Sequence, residues 1–197
     1  MSHLSRKLLT AAIGAAFVMC ALAQAAAIIG HQTALEFDPA RTSVTFTLAD
    51  VLHTVRGNFK LKRGALRFDP ANGNVAGEVV VDAASGESGS DARDRRMHRN
   101  ILESSRYPEI IFAPDRVEGT VLPTGPSKLQ VHGIFTIHGA SHEMTIPVEL
   151  RMGEGQATAT MRFAVPYVKW GMKNPSTLLL RVSDKVDIEI QTAAEIR

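Results

Sequence analysis

The feature that most constrains the fold is the recurrence of apolar residues at every second position in five separate segments. In residues 144–150, Met, Ile, Val and Leu occupy every second position. Residues 43–48, 75–81, 157–165 and 186–190 repeat the pattern. Because successive side chains of a strand point to opposite faces, each segment has one dry face and one wet face. This pattern predicts antiparallel strands, since a parallel sheet is normally buried on both faces.

Turn-forming sequences separate these segments. Asp69-Pro70, Asn72-Gly73, His138-Gly139 and residues 153–155 carry the glycine, proline and asparagine typical of tight turns. About eight strands of this kind remove their exposed edges most economically by closing. The sequence therefore predicts an all-β protein with an antiparallel, roughly eight-stranded barrel. A length of 197 residues suggests one folded domain, which we place at residues 33–194.

One segment departs from the strand pattern and predicts a single short helix near residues 91–104. Small residues at 85–90 form a connector, and Ser90 or Asp91 can cap the first turn. Met97, Ile101 and Leu102 then form a narrow apolar stripe. We expect the helix to lie across the barrel or one of its mouths.

The N-terminal segment has the organisation of a secretory signal peptide over residues 1–25. Arg6 and Lys7 precede an uncharged apolar run, and Ala23-Gln24-Ala25 fits the small-x-small cleavage rule. The run is too short for a typical spanning helix, so no stable membrane span is expected after processing. We therefore expect a periplasmic or secreted protein. Its only cysteine, Cys20, would be removed, and disulfides would then be excluded.

Charge gives no case for nucleic-acid binding. The whole chain carries 22 basic and 20 acidic residues. Removing Arg6 and Lys7 with the signal peptide leaves equal numbers of the two. A neutral protein lacks the excess of cations that phosphate backbones attract.

Metal binding and catalysis are not predicted either. Seven histidines are present, but none forms a His-x-His or helical pair, and about 20 Å of strand would separate His132 from His138. The serine-rich loop at 85–90 lacks a Gly-x-Ser-x-Gly motif. We expect no metal site, no cofactor and no catalytic residue, although a triad could still assemble in space.

Aromatic residues indicate more about function than the histidines and serines do. Phe46, Phe135 and Phe163 share the apolar parity of their strands. Small residues at inward positions favour some open volume beside them: Gly77, Gly133, Ala157 and Ala159. An eight-stranded barrel is just wide enough to be filled by side chains or to hold one small ligand. The residues alone leave both possibilities open.

Several motifs occur in an order that resembles the YceI-like family of small secreted bacterial proteins. Residues 38–46 are close to its opening Asp-Pro-x-x-Ser-x-Val-x-Phe pattern, and residues 55–59 match Val-x-Gly-x-Phe. Arg93-Asp94 is followed by Tyr107-Pro108, then by Thr-Ile-His-Gly at 136–139. A Ser-Asp strand at 183–190 closes the chain. The resemblance covers about residues 35–191.

This resemblance implies a lipocalin-like barrel that carries a polyisoprenoid or quinone-like lipid without covalent attachment or catalysis. Burial of an apolar tail at about 25 cal/mol per Å² can supply the affinity. The side chains expected at the ligand are Phe46, Phe59, Met97, Phe135, Ile146, Ala159, Phe163 and Trp170. Those expected near a head group are Arg93, His98, Lys169 and Lys173. Two alternatives remain: a structural or stress-response domain with a filled barrel, and an enzyme acting on an isoprenoid lipid.

Overall fold

The structure is a computed structural model that describes residues 32–50, 53–122, 125–153, 155–177 and 181–197. The signal peptide predicted over residues 1–25 lies outside the described residues. Within the described ranges, nine strands form one sheet in which every pairing is antiparallel. They are β1 Thr33–Phe37, β2 Ser43–Ala49, β3 Thr54–Phe68, β4 Val75–Glu87, β5 Glu109–Glu118, β6 Pro126–Ile137, β7 Ala140–Gly153, β8 Gln156–Val165 and β9 Val186–Ile196.

The sheet closes into an eight-stranded barrel, which confirms the predicted fold class. Strands β3 to β9 follow one another around the barrel in chain order, each paired with the next. Strands β1 and β2 share the remaining position between β3 and β9. A 3₁₀ turn, Pro39–Arg41, separates them, and the Asp38 carboxylate caps it by accepting from the Ala40 amide at 2.8 Å. The first strand of the barrel is therefore interrupted once.

The barrel has two distinct ends. The described connecting residues 50, 53, 88–108, 138–139, 166–177 and 181–185 lie at one end, here called the helical end. The described connecting residues 69–74, 119–122, 125 and 155 lie at the other, here called the far end. Apolar side chains of the alternating segments face the interior between these ends, as the period-two pattern predicts.

The predicted helix is present but shorter than expected. An α-helix, α1 (Asp91–Arg96), continues into a π-helical turn, Met97–Ile101. Glu103 has φ 47°, a left-handed conformation that cannot continue the helix. The helix thus ends about three residues before the predicted residue 104.

Two glycines that look like sources of open interior volume have a different role. A Cβ on Gly77, which has φ +121°, would lie 2.1 Å from the Ala65 carbonyl oxygen. A Cβ on Gly133 would lie 2.5 Å from the Ala113 carbonyl oxygen. Glycine is needed at both positions because neighbouring backbone approaches closely. Their small size therefore says nothing about an internal cavity.

An ion-pair cluster lies on the outer face of β3, β4 and β5. The Glu109 carboxylate accepts hydrogen bonds from Arg63 at 2.8 Å and from Lys62 at 2.9 Å. These two hydrogen bonds lower the pKa of Glu109 to about 2, and the bond from Arg63 has the larger effect. Arg63 also pairs with Glu78 at 2.9 Å. The cluster links three strands across the register shift between Leu61 and Arg63.

Candidate functional site

The barrel interior contains two adjoining cavities. Cavity 1, of about 520 Å³, lies at the helical end, and cavity 2, of about 160 Å³, lies towards the far end. Cavity 1 is within the range of about 300–1,000 Å³ found for ligand sites. The interior is therefore not filled by side chains.

The two cavities meet at a shared wall. Six apolar residues line both: Val44, Val81, Ile110, Phe135, Phe163 and Ile190. The rings of Phe135 and Phe163 lie edge to face with centroids 6.2 Å apart. These two rings therefore form part of the boundary between the cavities.

The deep part of the site is apolar. Cavity 2 is lined by aliphatic and aromatic side chains together with Thr42 and Thr192. The hydroxyls of these two threonines hydrogen-bond to each other at 2.7 Å, so neither needs a partner from a ligand. A ligand group placed here must be apolar, because a buried polar group without a partner is costly.

Polar groups are concentrated at the mouth of cavity 1. Asp50, Ser88, Ser90, Arg93 and Arg96 line it alongside the apolar residues. The Arg96 guanidinium donates to the Pro175 carbonyl at 3.1 Å. Both arginine side chains are exposed to solvent. The site therefore combines an apolar interior with a cationic rim.

Hydrogen bonds to the preceding loop hold the helix against this mouth. Arg93 donates to the Ser88 hydroxyl at 2.7 Å and to the Ser88 carbonyl at 2.9 Å. The Asp94 carboxylate accepts from the Ser88 amide at 2.9 Å. His98 Nε2 donates to the Gly86 carbonyl at 2.8 Å, while its Nδ1 accepts from the Ser104 hydroxyl at 3.1 Å. Met97 and Ile101 consequently face cavity 1.

The segment 166–177 forms a second wall of cavity 1. Tyr167 and Met172 are buried and line it. The Tyr167 hydroxyl donates to the Ser183 carbonyl at 2.7 Å, and burial, with a smaller contribution from Asp184, raises its pKa to about 12. Tyr167 therefore remains protonated at neutral pH and acts as a fixed wall.

Seven of the eight side chains expected at a ligand line these cavities. Phe46, Phe59 and Met97 line cavity 1, Ile146 and Ala159 line cavity 2, and Phe135 and Phe163 line both. Trp170 does not line either cavity. It stacks on His142 with ring centroids 4.1 Å apart and packs behind Phe135 at 5.7 Å.

Only one of the four expected head-group residues lies at the mouth. Arg93 lines cavity 1, whereas His98, Lys169 and Lys173 do not. Both ring nitrogens of His98 are used by protein groups, and the two lysines are exposed. Sequence reasoning missed Arg96, which lies three residues after Arg93 and so on the same helical face. This spacing is the feature of the sequence from which Arg96 could have been predicted.

The histidines of the β6–β7 hairpin have separate partners. His132 Nδ1 hydrogen-bonds Asp115 at 2.7 Å, and His138 Nε2 lies 3.4 Å from the Glu103 carboxylate. His142 stacks on Trp170. In the part of the chain that the structure describes, no three His, Cys, Asp or Glu residues come together as metal ligands would. None of the described helices has the length and apolarity of a membrane span.

Comparison with known proteins identifies the fold and the family. The model of the YceI-like domain matches residues 35–194. The chain belongs to the YceI-like family. A UPF0312 protein of Vibrio parahaemolyticus is 28% identical over 113 residues, which cover 56% of this chain and 58% of that protein. The chain thus matches little more than half the length of this curated relative.

Solved structures share the barrel at low sequence identity. BcnA of Burkholderia cenocepacia superposes with a TM-score of 0.65 at 19% identity, covering 80% of this chain and 98% of BcnA. A polyisoprenoid binding domain from Saccharophagus degradans, implicated in plant cell wall breakdown, gives 0.65 at 12% identity, covering 83% and 98%. At these identities the likeness establishes the fold.

Proposed function

We propose that this protein binds and carries a long apolar lipid of the polyisoprenoid or quinone type, without chemical change, in the periplasm or outside the cell. The observation that carries the proposal is the pair of adjoining apolar cavities inside the closed barrel. A filled barrel, as a purely structural domain would have, offers no such space.

The shape of the interior favours a linear tail over a compact ligand. Along β9, the lining runs from Val186 at the helical end to Ala194 near the far end. Eight residue steps at about 3.4 Å each give about 27 Å of strand. A flexible tail entering through cavity 1 would thread past Phe135 and Phe163 into cavity 2.

The mouth favours a ligand with a polar or anionic head. Arg93 and Arg96 place two guanidinium groups at the rim, and guanidinium groups pair well with phosphate and carboxylate oxygens. A polyprenyl phosphate would use both features. A quinone would use the apolar interior and accept single hydrogen bonds at the rim.

Binding without catalysis fits the groups around the cavity. The titratable side chains among the described lining residues of cavity 1 are Asp50, Arg93, Arg96 and Tyr167. Burial raises the pKa of Tyr167 to about 12, so this side chain stays protonated. This set supplies electrostatic recognition but no paired nucleophile and base.

Titration of delipidated protein with a long-chain polyprenol, its phosphate and a short prenyl alcohol tests the proposal. Displacement of an apolar fluorophore reports occupancy of the interior. We expect the long chain to bind more tightly than the short one, because it buries more apolar surface. Equal affinity for both lengths, or no displacement by either, would contradict carriage of a long tail.

A further inference from the structure

We propose that the helical end of the barrel docks on the surface of an anionic lipid bilayer, with the mouth of cavity 1 facing the membrane. The partner is the phosphate-rich surface of the bilayer itself. Lipid passage through that mouth rests on the carrier function proposed above, whereas docking does not.

The connections at the two ends of the barrel differ in their charge. The connections of the helical end contain nine Lys or Arg against five Asp or Glu. The described residues of the far-end connections contain no Lys or Arg and one acidic residue, Asp69. The chain beyond residue 25 is neutral as a whole, so this asymmetry arises from placement and not from composition.

The helix supplies cations that the protein does not neutralise. Arg95 and Arg99, four residues apart, are both exposed and share one face of the helical segment. Among the described residues, neither side chain pairs with a carboxylate, whereas Arg63, Arg162 and Arg197 elsewhere all do. Arg95 and Arg99 also lie outside the lining of cavity 1. Their charge is therefore available to an external partner.

The segment 166–177 extends this cationic surface beside the helix. It contains Lys169 and Lys173, both exposed, and no acidic residue. The bond from Arg96 to the Pro175 carbonyl joins the two elements at the mouth. Cations contributed by two elements around one opening suit a broad anionic surface better than a single small anion.

The physical consequence is a specific orientation. Each basic residue that approaches an anionic leaflet strengthens binding about fivefold, and the attraction falls off within a Debye length of about 8 Å at physiological salt. Docking by the helical end would place the apolar cavity next to the lipid phase. An apolar cargo could then enter or leave without crossing water.

Vesicle binding by paired charge variants tests the docking. The protein is purified as the expressing cell processes it, its intact mass is recorded, and sedimentation with phosphatidylcholine vesicles is compared with phosphatidylcholine–phosphatidylglycerol vesicles. R95Q/R99Q removes two cations from the helical end. R67Q/R151Q removes two exposed cations from strands near the far end, and neither Arg67 nor Arg151 forms an ion pair with another described residue.

We expect R95Q/R99Q to weaken binding to the phosphatidylglycerol vesicles about 25-fold, and R67Q/R151Q to change it less than threefold. Wild-type binding should fall as salt is raised and should be weak on phosphatidylcholine alone. Equal losses in both double variants, or no preference for anionic vesicles, would overturn the proposal. Arginine-dependent binding to heparin without vesicle binding would overturn it in favour of a soluble polyanion.

Two further measurements keep the outcomes distinct. Thermal melts should be unchanged in R95Q/R99Q, because both side chains are exposed and neither forms an ion pair with another described residue. Fluorophore uptake into the cavity should also be unchanged. Loss of vesicle binding with full fluorophore uptake supports docking, while intact vesicle binding without uptake would refute the carrier function alone.

Discussion

Replacement of Ala159 by tryptophan separates a lipid carrier from a filled structural barrel. Ala159 lies on β8 between Leu150 of β7 and Thr192 of β9, and it lines cavity 2. The indole of a tryptophan at position 159 would occupy most of the 160 Å³ of cavity 2. A tail would then have to stop at the shared wall.

The two interpretations predict different effects of A159W on the free energy of unfolding. Filling a cavity recovers up to about 24 cal/mol per Å³, which sets an upper limit of about 4 kcal/mol for complete filling of cavity 2. Imperfect fit and lost side-chain freedom offset much of this gain. We therefore expect the free energy of unfolding of the ligand-free protein to change by no more than about 1 kcal/mol. Overpacking of a filled core would instead lower it by about 1–3 kcal/mol.

The effect on binding follows from the same volume. At about 30 Å³ for a group the size of water, cavity 2 would hold four or five methylene groups. Each contributes about 0.8 kcal/mol when buried, so exclusion from cavity 2 weakens binding of a long tail by a factor of about 100 to 1,000. A short prenyl alcohol that fits cavity 1 should bind unchanged.

Urea unfolding and polyprenol titration of A159W measure both quantities. Thr158→Trp is the matched control, because Thr158 is the neighbouring residue on β8 and its side chain is exposed. Thr158→Trp should leave polyprenol affinity within about threefold of wild type. A loss of stability above about 2 kcal/mol in A159W, together with unchanged polyprenol affinity, would refute the reasoning.

Four further predictions concern processing, metals, pH and backbone packing. Intact-mass analysis of exported protein should show cleavage near Ala25, whereas a mass that retains the first residue or a lipid-modified cysteine would contradict it. Melting temperature should not fall on chelation, and a fall restored by zinc would reveal a metal site. Because the pKa of Glu109 is depressed to about 2, its stabilising effect is present above its ordinary value of 4.5 and is lost as pH falls from about 5 to 2. Acid unfolding monitored by circular dichroism should therefore be less steep in E109Q, and an unchanged acid limb would contradict this. Gly133→Ala should lower the midpoint of urea unfolding, because its Cβ would meet the Ala113 carbonyl oxygen and the Pro114 Cα at 2.5 and 2.6 Å, and a wild-type midpoint would contradict the close approach.

The strands and their closure could be predicted because alternation is a local signal. Residues 144–150 and 157–165 reveal their inward faces without reference to any other part of the chain. The barrel then follows from the number of such segments and the turns between them. The 3₁₀ turn at Pro39–Arg41 could not be predicted in this way. Alternation within β1 and β2 does not show that these two strands, on either side of the turn, share one position in the barrel.

The openness of the interior could not be predicted, because it depends on where large side chains meet. Phe135 packs on Trp170 and Phe163, which keeps its ring at the shared wall between the cavities. Gly77 and Gly133 resemble sources of space in the sequence but serve close backbone contacts. Only the three-dimensional register distinguishes these roles.

The rim of the site was predicted only in part for a related reason. Met97, Ile101 and Leu102 line cavity 1 as the apolar stripe predicts, but the stripe does not show which polar side chains beside it are already bound by other parts of the protein. His98 looked available for a head group, but its two nitrogens bind Gly86 and Ser104. Arg96 lines the mouth beside Arg93 but is not among the head-group residues that the sequence predicts.

Mass spectrometry of an organic extract from protein purified out of its native cells tests the central claim most directly. Parallel native mass spectrometry gives the ratio of lipid to protein. We predict one long apolar lipid of the isoprenoid or quinone type per chain, released by the solvent without change to the protein mass. Protein that carries no lipid from its native cells, and that takes up none when offered a long-chain polyprenol, would contradict the account.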